Sequence, residues 1–269
     1  MISRMSSFVG LLIGVSCLMA VDPLPSLGAQ VQVHFEVRDG VITLHEPVVL
    51  LFRVHNASAE EAVLNLGVAK TQFFHFSLIT PQGTTLQNEP PYTEGFYPSG
   101  KVVVPAGGDY EQVLVLNQWF QLDSAGKYSL RAQMNGAASI SPDIERIPFE
   151  IKQRAPERLA KLCSDLTDQV KAAPNAQAAQ QPALLLSYVE DPVAVPYLSQ
   201  VLYTHKLVEN TAISGLERID SEDSVKVLIS ALAYSYGDTS TLAREALRRI
   251  LRKTSNPALK EEIRKAGVQ

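Results

Sequence analysis

The chain has 269 residues, of which 46% are hydrophobic, so it is long enough for two domains with packed cores. Its formal net charge of −4 is small, so the overall balance gives no indication of a polyanionic partner such as nucleic acid. The sequence contains no phosphate-binding loop, dinucleotide fingerprint, nucleophile elbow or Cys-x-x-Cys pair. It therefore favours a protein that is not an enzyme and that needs no cofactor.

Residues 1–28 are predicted to be a signal peptide. Arg4 supplies the positive start, and the apolar run over residues 8–21 is too short and too interrupted by Gly and Ser to span a bilayer. Ser26-Leu27-Gly28 fits a cleavage site, so the mature chain is expected to start near Ala29. The sequence thus predicts export to a periplasmic or extracellular location.

The two cysteines have different expected roles. Cys17 follows Gly14-Val15-Ser16, which resembles a lipobox but lacks the leucine expected three residues before the cysteine. Lipidation of Cys17 is the one route to a membrane that the sequence offers, and this mismatch argues against it. Cys163 would be the only cysteine of the mature chain, so no intrachain disulfide is expected. It lies beside an apolar helical stripe and is expected in the core.

Residues 29–154 alternate between apolar and polar with period two, which predicts strands. The first runs from Val31 to Val37 and ends at the turn Asp39-Gly40. Further strands are predicted at 47–55, 62–66, 73–79, 101–104, 110–116, 127–134 and 146–152. This succession of short strands without an intervening helix predicts an antiparallel immunoglobulin-like β-sandwich. His34, His55 and His75 are expected on polar strand faces rather than around a metal ion.

Two resemblances concern this predicted sandwich. The segment from Leu122 to Tyr128 resembles a tyrosine corner, in which the tyrosine hydroxyl donates to backbone upstream. The turn signals also resemble, in their order, the BsuPI-type proteinase-inhibitor family. They are Asn56-Ala57-Ser58, Thr80-Pro81-Gln82-Gly83, Pro105-Ala106-Gly107-Gly108, Trp119 and Gly126-Lys127-Tyr128. That resemblance implies an alternative function, inhibition of a proteinase through a loop of the sandwich, and identifies no inhibitory residue.

Residues 155–269 change to a helical period. An amphipathic helix is predicted over 158–172, and the Ala-, Gln- and Pro-rich stretch 173–182 is predicted to be a connector. The segment that starts at Asp191 is echoed from Asp223 and again from Asn256, at offsets of 32 and 33 residues. Such a period is typical of an α-solenoid. Asp191 is expected to cap a helix, and Pro196 to kink that helix.

The motif Asp191-Pro192-Val193-Ala194-Val195-Pro196-Tyr197-Leu198 resembles the HEAT-like repeats of the bilin-lyase type, as does the Ala- and Leu-rich segment that follows it. The resemblance covers residues 181–265 and implies a scaffold for binding, without a catalytic residue. The expected fold is therefore two-domain α+β. An immunoglobulin-like β-sandwich domain over 29–154 would be followed by a short α-solenoid of HEAT-like repeats over 155–269.

One candidate binding surface lies in the predicted sandwich. The loop over residues 88–100 carries Tyr92, Phe96 and Tyr97 among three prolines, and rigid aromatic side chains on a long loop are a common recognition device. The alternative is that the loop folds over the end of the sandwich and buries these rings.

The other candidate surface is basic. Arg244, Arg248 and Arg252 recur every four residues, opposite the apolar stripe that contains Ala243 and Leu247. They form either an ordinary solvated helix face or a binding site for an acidic partner.

Together these patterns predict an exported, non-enzymatic protein-binding or scaffolding protein of the cell envelope. The expected partner is another protein, and the arginine row favours an acidic one. No nucleic acid, metal ion or cofactor is expected, and proteinase inhibition is the alternative function.

Overall fold

A computed structural model describes residues 31–66, 74–88, 100–134, 146–234 and 238–269. The predicted signal peptide with Cys17, and the loop residues Tyr92, Phe96 and Tyr97, lie outside the described residues. The strands are β1 (Val31–Val37), β2 (Val41–Thr43), β3 (Val49–Asn56), β4 (Ala62–Asn65), β5 (Phe74–Ile79), β6 (Thr85–Gln87), β7 (Lys101–Val104), β8 (Asp109–Val115), β9 (Gly126–Met134) and β10 (Arg146–Lys152).

The α-helices of the described residues follow the strands. They are α1 (Pro156–Ala172), α2 (Ala176–Ser187), α3 (Val195–Val201), α4 (Glu209–Ile219), α5 (Glu222–Ala231), α6 (Thr239–Lys253) and α7 (Pro257–Lys265). Short 3-10 turns precede Trp119 and α3. Within the described ranges, no helix has both the length and the apolar character that crossing a membrane requires.

The strands form three sheets, with the orders β1-β3-β8, β2-β10-β9-β5-β6 and β4-β7. Every pair is antiparallel except β2 with β10, which is parallel. The sheets share a core in which Phe52 lies 5.1 Å from both Phe35 and Phe74, measured between ring centres. Trp119 closes this core with its ring centre 4.9 Å from that of Phe76.

The start of β9 is fixed by one hydrogen bond and one close approach. The hydroxyl of Tyr128 donates to the carbonyl oxygen of Ser124 at 2.7 Å, which confirms the hydrogen bond predicted from the sequence. Gly126 has a φ of +143°, and a Cβ there would lie 2.6 Å from the Pro81 side chain. Because only glycine fits this position, the turn that holds Pro81 packs directly on the β9 backbone.

Capping residues set the starts of several helices. Asp191 confirms its predicted role, since its Oδ1 accepts from the backbone N–H of Val193 at 3.0 Å. A 3-10 turn follows, and α3 begins only at Val195, so Pro196 lies in the first helical turn. The predicted kink at Pro196 is wrong for this reason, because a first-turn residue needs no backbone donor. Ser221 caps α5 through a capping box.

The predicted connector over residues 173–182 is also wrong, because most of it belongs to helix α2. Asn175 caps this helix by accepting from the N–H of Ala178 at 2.9 Å. Ala179, Ala183 and Leu186 recur with helical spacing and are all buried. The low-complexity composition therefore hides an ordinary amphipathic helix with small residues on its buried face.

The helices pack in two layers that share one core with part of a sheet. Helices α2, α4 and α6 form one layer, and α1, α3, α5 and α7 form the other. Leu216, Leu228 and Leu247 lie in this helical core. The same core includes Val49 and Leu51, together with Val115 of β8, so one face of the three-stranded sheet is partly covered by helices.

The predicted fold class, an antiparallel immunoglobulin-like β-sandwich followed by an α-solenoid of HEAT-like repeats, is wrong. The described residues form a mixed α/β structure with seven helices and three sheets, and one sheet mixes parallel and antiparallel pairs. Hydrophobic alternation indicates which face of a strand is buried, but it does not determine the partner or direction of that strand. The domain boundary at residue 154 stays a prediction.

Candidate protein-binding surface

The predicted arginine row lies on one face of α6, and we refer to Arg244, Arg248 and Arg252 as the basic ridge. Residues Ala243, Ala246, Leu247 and Ile250 are buried on the opposite face, as the sequence predicted. Arg248 and Arg252 are exposed, and Arg244 is half-buried. The core thus fixes the direction in which the ridge faces.

Most guanidinium N–H groups of the basic ridge have no partner among the residues that the structure describes. Arg244 donates to the carbonyl oxygen of Gly267 at 3.4 Å, and Arg248 donates to that of Gln269 at 3.2 Å. Arg252 has no hydrogen bond or ion pair within the part of the chain that the structure describes. Each arginine carries five N–H donors, so at least four remain available on each ridge residue.

Arg249, on the same helix, shows the contrast. Its guanidinium holds the carboxylate of Glu217 with Nε and Nη2, each at 2.8 Å from a carboxylate oxygen. Glu217 is largely buried, with 13% of its side chain exposed. Arg249 therefore ties α6 to α4, whereas the ridge residues face outward.

Charge at the C-terminal end of the sequence reinforces the basic ridge. Residues 239–269 contain eight Lys or Arg against three Glu, a net charge of +5, although the whole chain carries −4. The ridge therefore lies in a cationic region of an otherwise acidic protein, and this favours an anionic partner.

Two buried carboxylates join the strands to the helices. Nη2 of Arg154 donates to Oδ1 of Asp191 at 2.9 Å, and Arg158 holds Glu46 through Nε at 2.8 Å and Nη2 at 3.0 Å. The side chains of Asp191 and Glu46 are 1% and 8% exposed. Hydrogen bonding from Arg154 lowers the pKa of Asp191. Both pairs are already satisfied internally, which indicates a structural role.

Glu190 lies beside these pairs in a different environment. Its backbone N–H donates to the carbonyl oxygen of His45 at 3.2 Å. This bond joins the helical part to the turn between β2 and β3. Burial raises the pKa of the Glu190 carboxyl, and the charges of Arg218 and His45 partly oppose that rise. Arg218 itself lies 3.9 Å from the centre of the Tyr188 ring. Sequence patterns do not indicate this cluster, because His45 and Arg218 lie far from Glu190 along the chain.

The cysteine and the histidines of the described residues lie in different surroundings. Cys163 is fully buried, which confirms its predicted place in the core, and burial raises the pKa of its thiol to about 12. A thiol that stays protonated is a poor nucleophile. Nδ1 of His55 lies 2.8 Å from Oδ1 of Asp109 on an exposed strand face. No group of three or more His, Cys, Asp or Glu within the described ranges is arranged to hold a metal ion.

Comparisons with known proteins do not identify a family. No family model and no curated protein matches the chain. Among solved structures, a β-glucosidase from Listeria innocua in complex with isofagomine is 12% identical, with a TM-score of 0.27, over 46% of this chain and 16% of the glucosidase. Spo0M, a sporulation control protein from Bacillus subtilis, is 12% identical, with a TM-score of 0.26, over 51% of this chain and 56% of that protein.

The alkylpurine DNA glycosylase AlkC of Pseudomonas fluorescens gives a similar result. It is 12% identical, with a TM-score of 0.26, over 46% of this chain and 30% of the glycosylase. Each comparison thus covers less than two thirds of the other protein, and similarities this weak carry no argument about fold or function. The HEAT-like and BsuPI-type resemblances stay predictions.

Proposed function

We propose that this chain is an exported, non-enzymatic protein-binding protein of the cell envelope, and that its basic ridge binds an acidic surface of another protein. The observation that carries the proposal is the outward-facing ridge itself, because its guanidinium groups are presented by a packed helix and are largely unused. Export is proposed from the predicted signal peptide, and no membrane anchor or nucleic acid is part of the proposal.

The spacing of the ridge suits carboxylate recognition. Side chains four residues apart on a helix lie about 6 Å from each other, so Arg248 and Arg252 form a double cationic site. A planar guanidinium can hold a carboxylate with two parallel hydrogen bonds, which a lysine cannot do. Two such pairs on a surface rich in Asp and Glu would give both attraction and orientation.

The test compares two double variants with the same change in charge. Arg248→Glu with Arg252→Glu reverses the basic ridge, whereas Lys127→Glu with Lys206→Glu reverses two exposed cations elsewhere. Affinity-tagged proteins are incubated with an envelope extract, and bound proteins are identified by mass spectrometry. We expect an acidic protein to be recovered with the natural sequence and the lysine variant, but not with the ridge variant.

Binding is then measured with that purified partner at low and high salt. Loss of affinity in the ridge variant alone, with a salt-sensitive association rate, supports the proposal. Equal loss in both double variants would show only general charge attraction, and binding of anionic lipid vesicles in place of a protein would also contradict it. The alternative, proteinase inhibition through the loop over residues 88–100, stays a prediction, since 89–99 lie outside the described residues.

A further inference from the structure

Among the strands that the structure describes, β8 pairs on one side only and so forms an edge of the three-stranded sheet. The backbone N–H of Asn56 donates to the carbonyl oxygen of Gly108 at 2.9 Å, and the register continues this alternation along β8. In an antiparallel pair, alternate residues direct both backbone groups to the partner strand, so the residues between them direct both groups away. Asp109, Glu111 and Val113 therefore present N–H and C=O at the free edge.

These outward backbone groups have no hydrogen-bond partner in the described ranges. The neighbouring two-stranded sheet pairs β4 with β7 only. The far end of β8 is covered, because Val115 is buried beneath helices, whereas Glu111 is exposed and Val113 is half-buried. The open part of the edge thus runs from Asp109 to Val113.

Helix α2 stands beside this edge and turns it into a groove. The groove has a volume of about 350 Å³, and its lining includes Glu111, Val113, Val115, Gln177, Gln180 and Leu184. The wall formed by β8 therefore offers backbone N–H and C=O groups. The wall formed by α2 offers the side-chain amides of Gln177 and Gln180 beside Leu184. An added strand would lie about 4.8 Å from β8, which is the ordinary spacing within a sheet.

The charges beside the groove are mainly negative. Arg53 is shared between two carboxylates, with Nη1 at 2.7 Å from Glu36 and Nε at 2.8 Å from Glu111. Asp109 adds a third carboxylate at the same end of β8. Three carboxylates thus surround the one guanidinium of Arg53, and Asp109 also contacts Nδ1 of His55 at 2.8 Å. Because carboxylates outnumber the arginine here, a bound segment is favoured when it carries Lys or Arg.

We infer that the open edge of β8 binds an extended peptide segment of a partner protein as an added strand, and that this segment carries Lys or Arg at alternate positions. The backbone of the segment pairs with Asp109, Glu111 and Val113, and its cationic side chains lie beside Glu111. This strand-addition mode uses main-chain hydrogen bonds for affinity and alternate side chains for specificity. It uses a surface separate from the basic ridge.

The probe is an acetylated, amidated peptide in which Lys and Val alternate over eight residues, and its counterpart replaces Lys by Glu. Binding is followed by fluorescence anisotropy of the labelled peptides. Val113→Pro removes an outward N–H without removing a bond to β3, and proline is tolerated at strand edges. Val113→Thr is the matched control, because it keeps the N–H and the side-chain shape. We expect Val113→Pro to weaken binding of the Lys peptide about tenfold or more, and Val113→Thr to leave it within about twofold.

Amide hydrogen exchange measured by NMR on the natural sequence keeps the test independent of the folding of any variant. In the free protein the amides of Glu111 and Val113 should exchange quickly, whereas those of Gln112 and Leu114 should be protected. Addition of the Lys peptide should slow exchange at Glu111 and Val113. Unchanged exchange at these two amides in the presence of saturating peptide overturns the inference.

Four further comparisons also decide the question. Equal binding of the Glu and Lys peptides overturns the charge preference, and binding that survives Val113→Pro overturns strand addition. A dimer in sedimentation that Val113→Pro abolishes would assign the edge to a second copy of this chain and overturn the peptide assignment. Peptide binding that persists in the ridge variant Arg248→Glu with Arg252→Glu supports the separation of the two surfaces, and its loss there contradicts that separation.

Discussion

The strand-rich part and the helical part bury apolar residues by different means. In the strands, several partners are far apart along the chain, as where Phe74 of β5 pairs with Met134 of β9. In the helices, each element packs mainly on elements one or two places away in sequence. The packing of the helical part therefore follows mainly from local amphipathic patterns, whereas the packing of the strand-rich part also requires long-range strand pairing. The two parts nevertheless meet in a shared core at Val49 and Leu51.

The largest expected effects come from truncating one core residue in each part. Phe52→Ala in the strands should lower the free energy of unfolding by roughly 3–5 kcal/mol, and Leu228→Ala in the helices by roughly 2–5 kcal/mol. Leu216→Ala and Leu247→Ala should behave like Leu228→Ala, because both leucines are fully buried too. Arg248→Glu is the surface control and should change stability by less than about 0.5 kcal/mol.

Two probes applied to these variants test whether the parts unfold together. Fluorescence of Trp119, the only tryptophan of the chain, reports on the strands, and circular dichroism at 222 nm reports mainly on the helices. Because the core is shared, we expect both signals to change at one urea concentration in each variant. Two separate transitions would show that the parts unfold independently. If Leu228→Ala left the stability unchanged while Arg248→Glu unfolded the protein, the buried and exposed helix faces would be assigned the wrong way round.

A smaller effect is expected from Asp191→Asn, which breaks the ion pair that joins the parts but keeps an oxygen for the helix cap. The folded-state pKa of Asp191 is lowered, so its charge stabilises the fold above the ordinary aspartate pKa of about 3.9. The variant should lose about 1–3 kcal/mol near pH 7, and the loss should shrink as the pH falls through the lowered pKa. Urea melts at several pH values measure this, with Asp165→Asn as the exposed control. A loss that does not vary with pH would contradict the role of the charge.

The smallest expected effect comes from Glu190→Gln and has the opposite pH dependence. The folded-state pKa of Glu190 is raised, so its contribution to stability is present below the ordinary glutamate pKa of about 4.3 and is lost as the pH rises through the folded value. The free energy of unfolding of the variant, relative to that of the natural sequence, should therefore be higher at pH 7 than at pH 4. Paired urea melts at these two values provide the measurement. The same sign as Asp191→Asn would show that burial does not dominate at Glu190.

Local signals in the sequence were sufficient for several features. Three predicted features are present: the buried stripe of α6, the cap at Asp191 and the hydrogen bond of Tyr128. Each depends only on residues that are close together along the chain. The outward direction of Arg248 and Arg252 follows from the same stripe.

Long-range features were not predictable in this way. The parallel pairing of β2 depends on β10, and the ion pair between Glu46 and Arg158 joins residues 112 positions apart. Helix α2 was missed because its alanines and glutamines have little hydrophobic contrast. The open edge of β8 depends on which strands pair elsewhere, so no pattern within residues 109–115 indicates it.

The burial of Cys163 has a consequence for the proposal that the chain is exported. Its sulfur lies in the core shared by α1 and its neighbours, and its pKa of about 12 keeps it almost entirely protonated at neutral pH. Oxidants and disulfide exchange act on exposed thiolates, so an oxidising compartment can modify this sulfur only in molecules that have opened. The core therefore protects Cys163 against intermolecular cross-linking, and the rate at which Cys163 becomes oxidised measures how often that core opens.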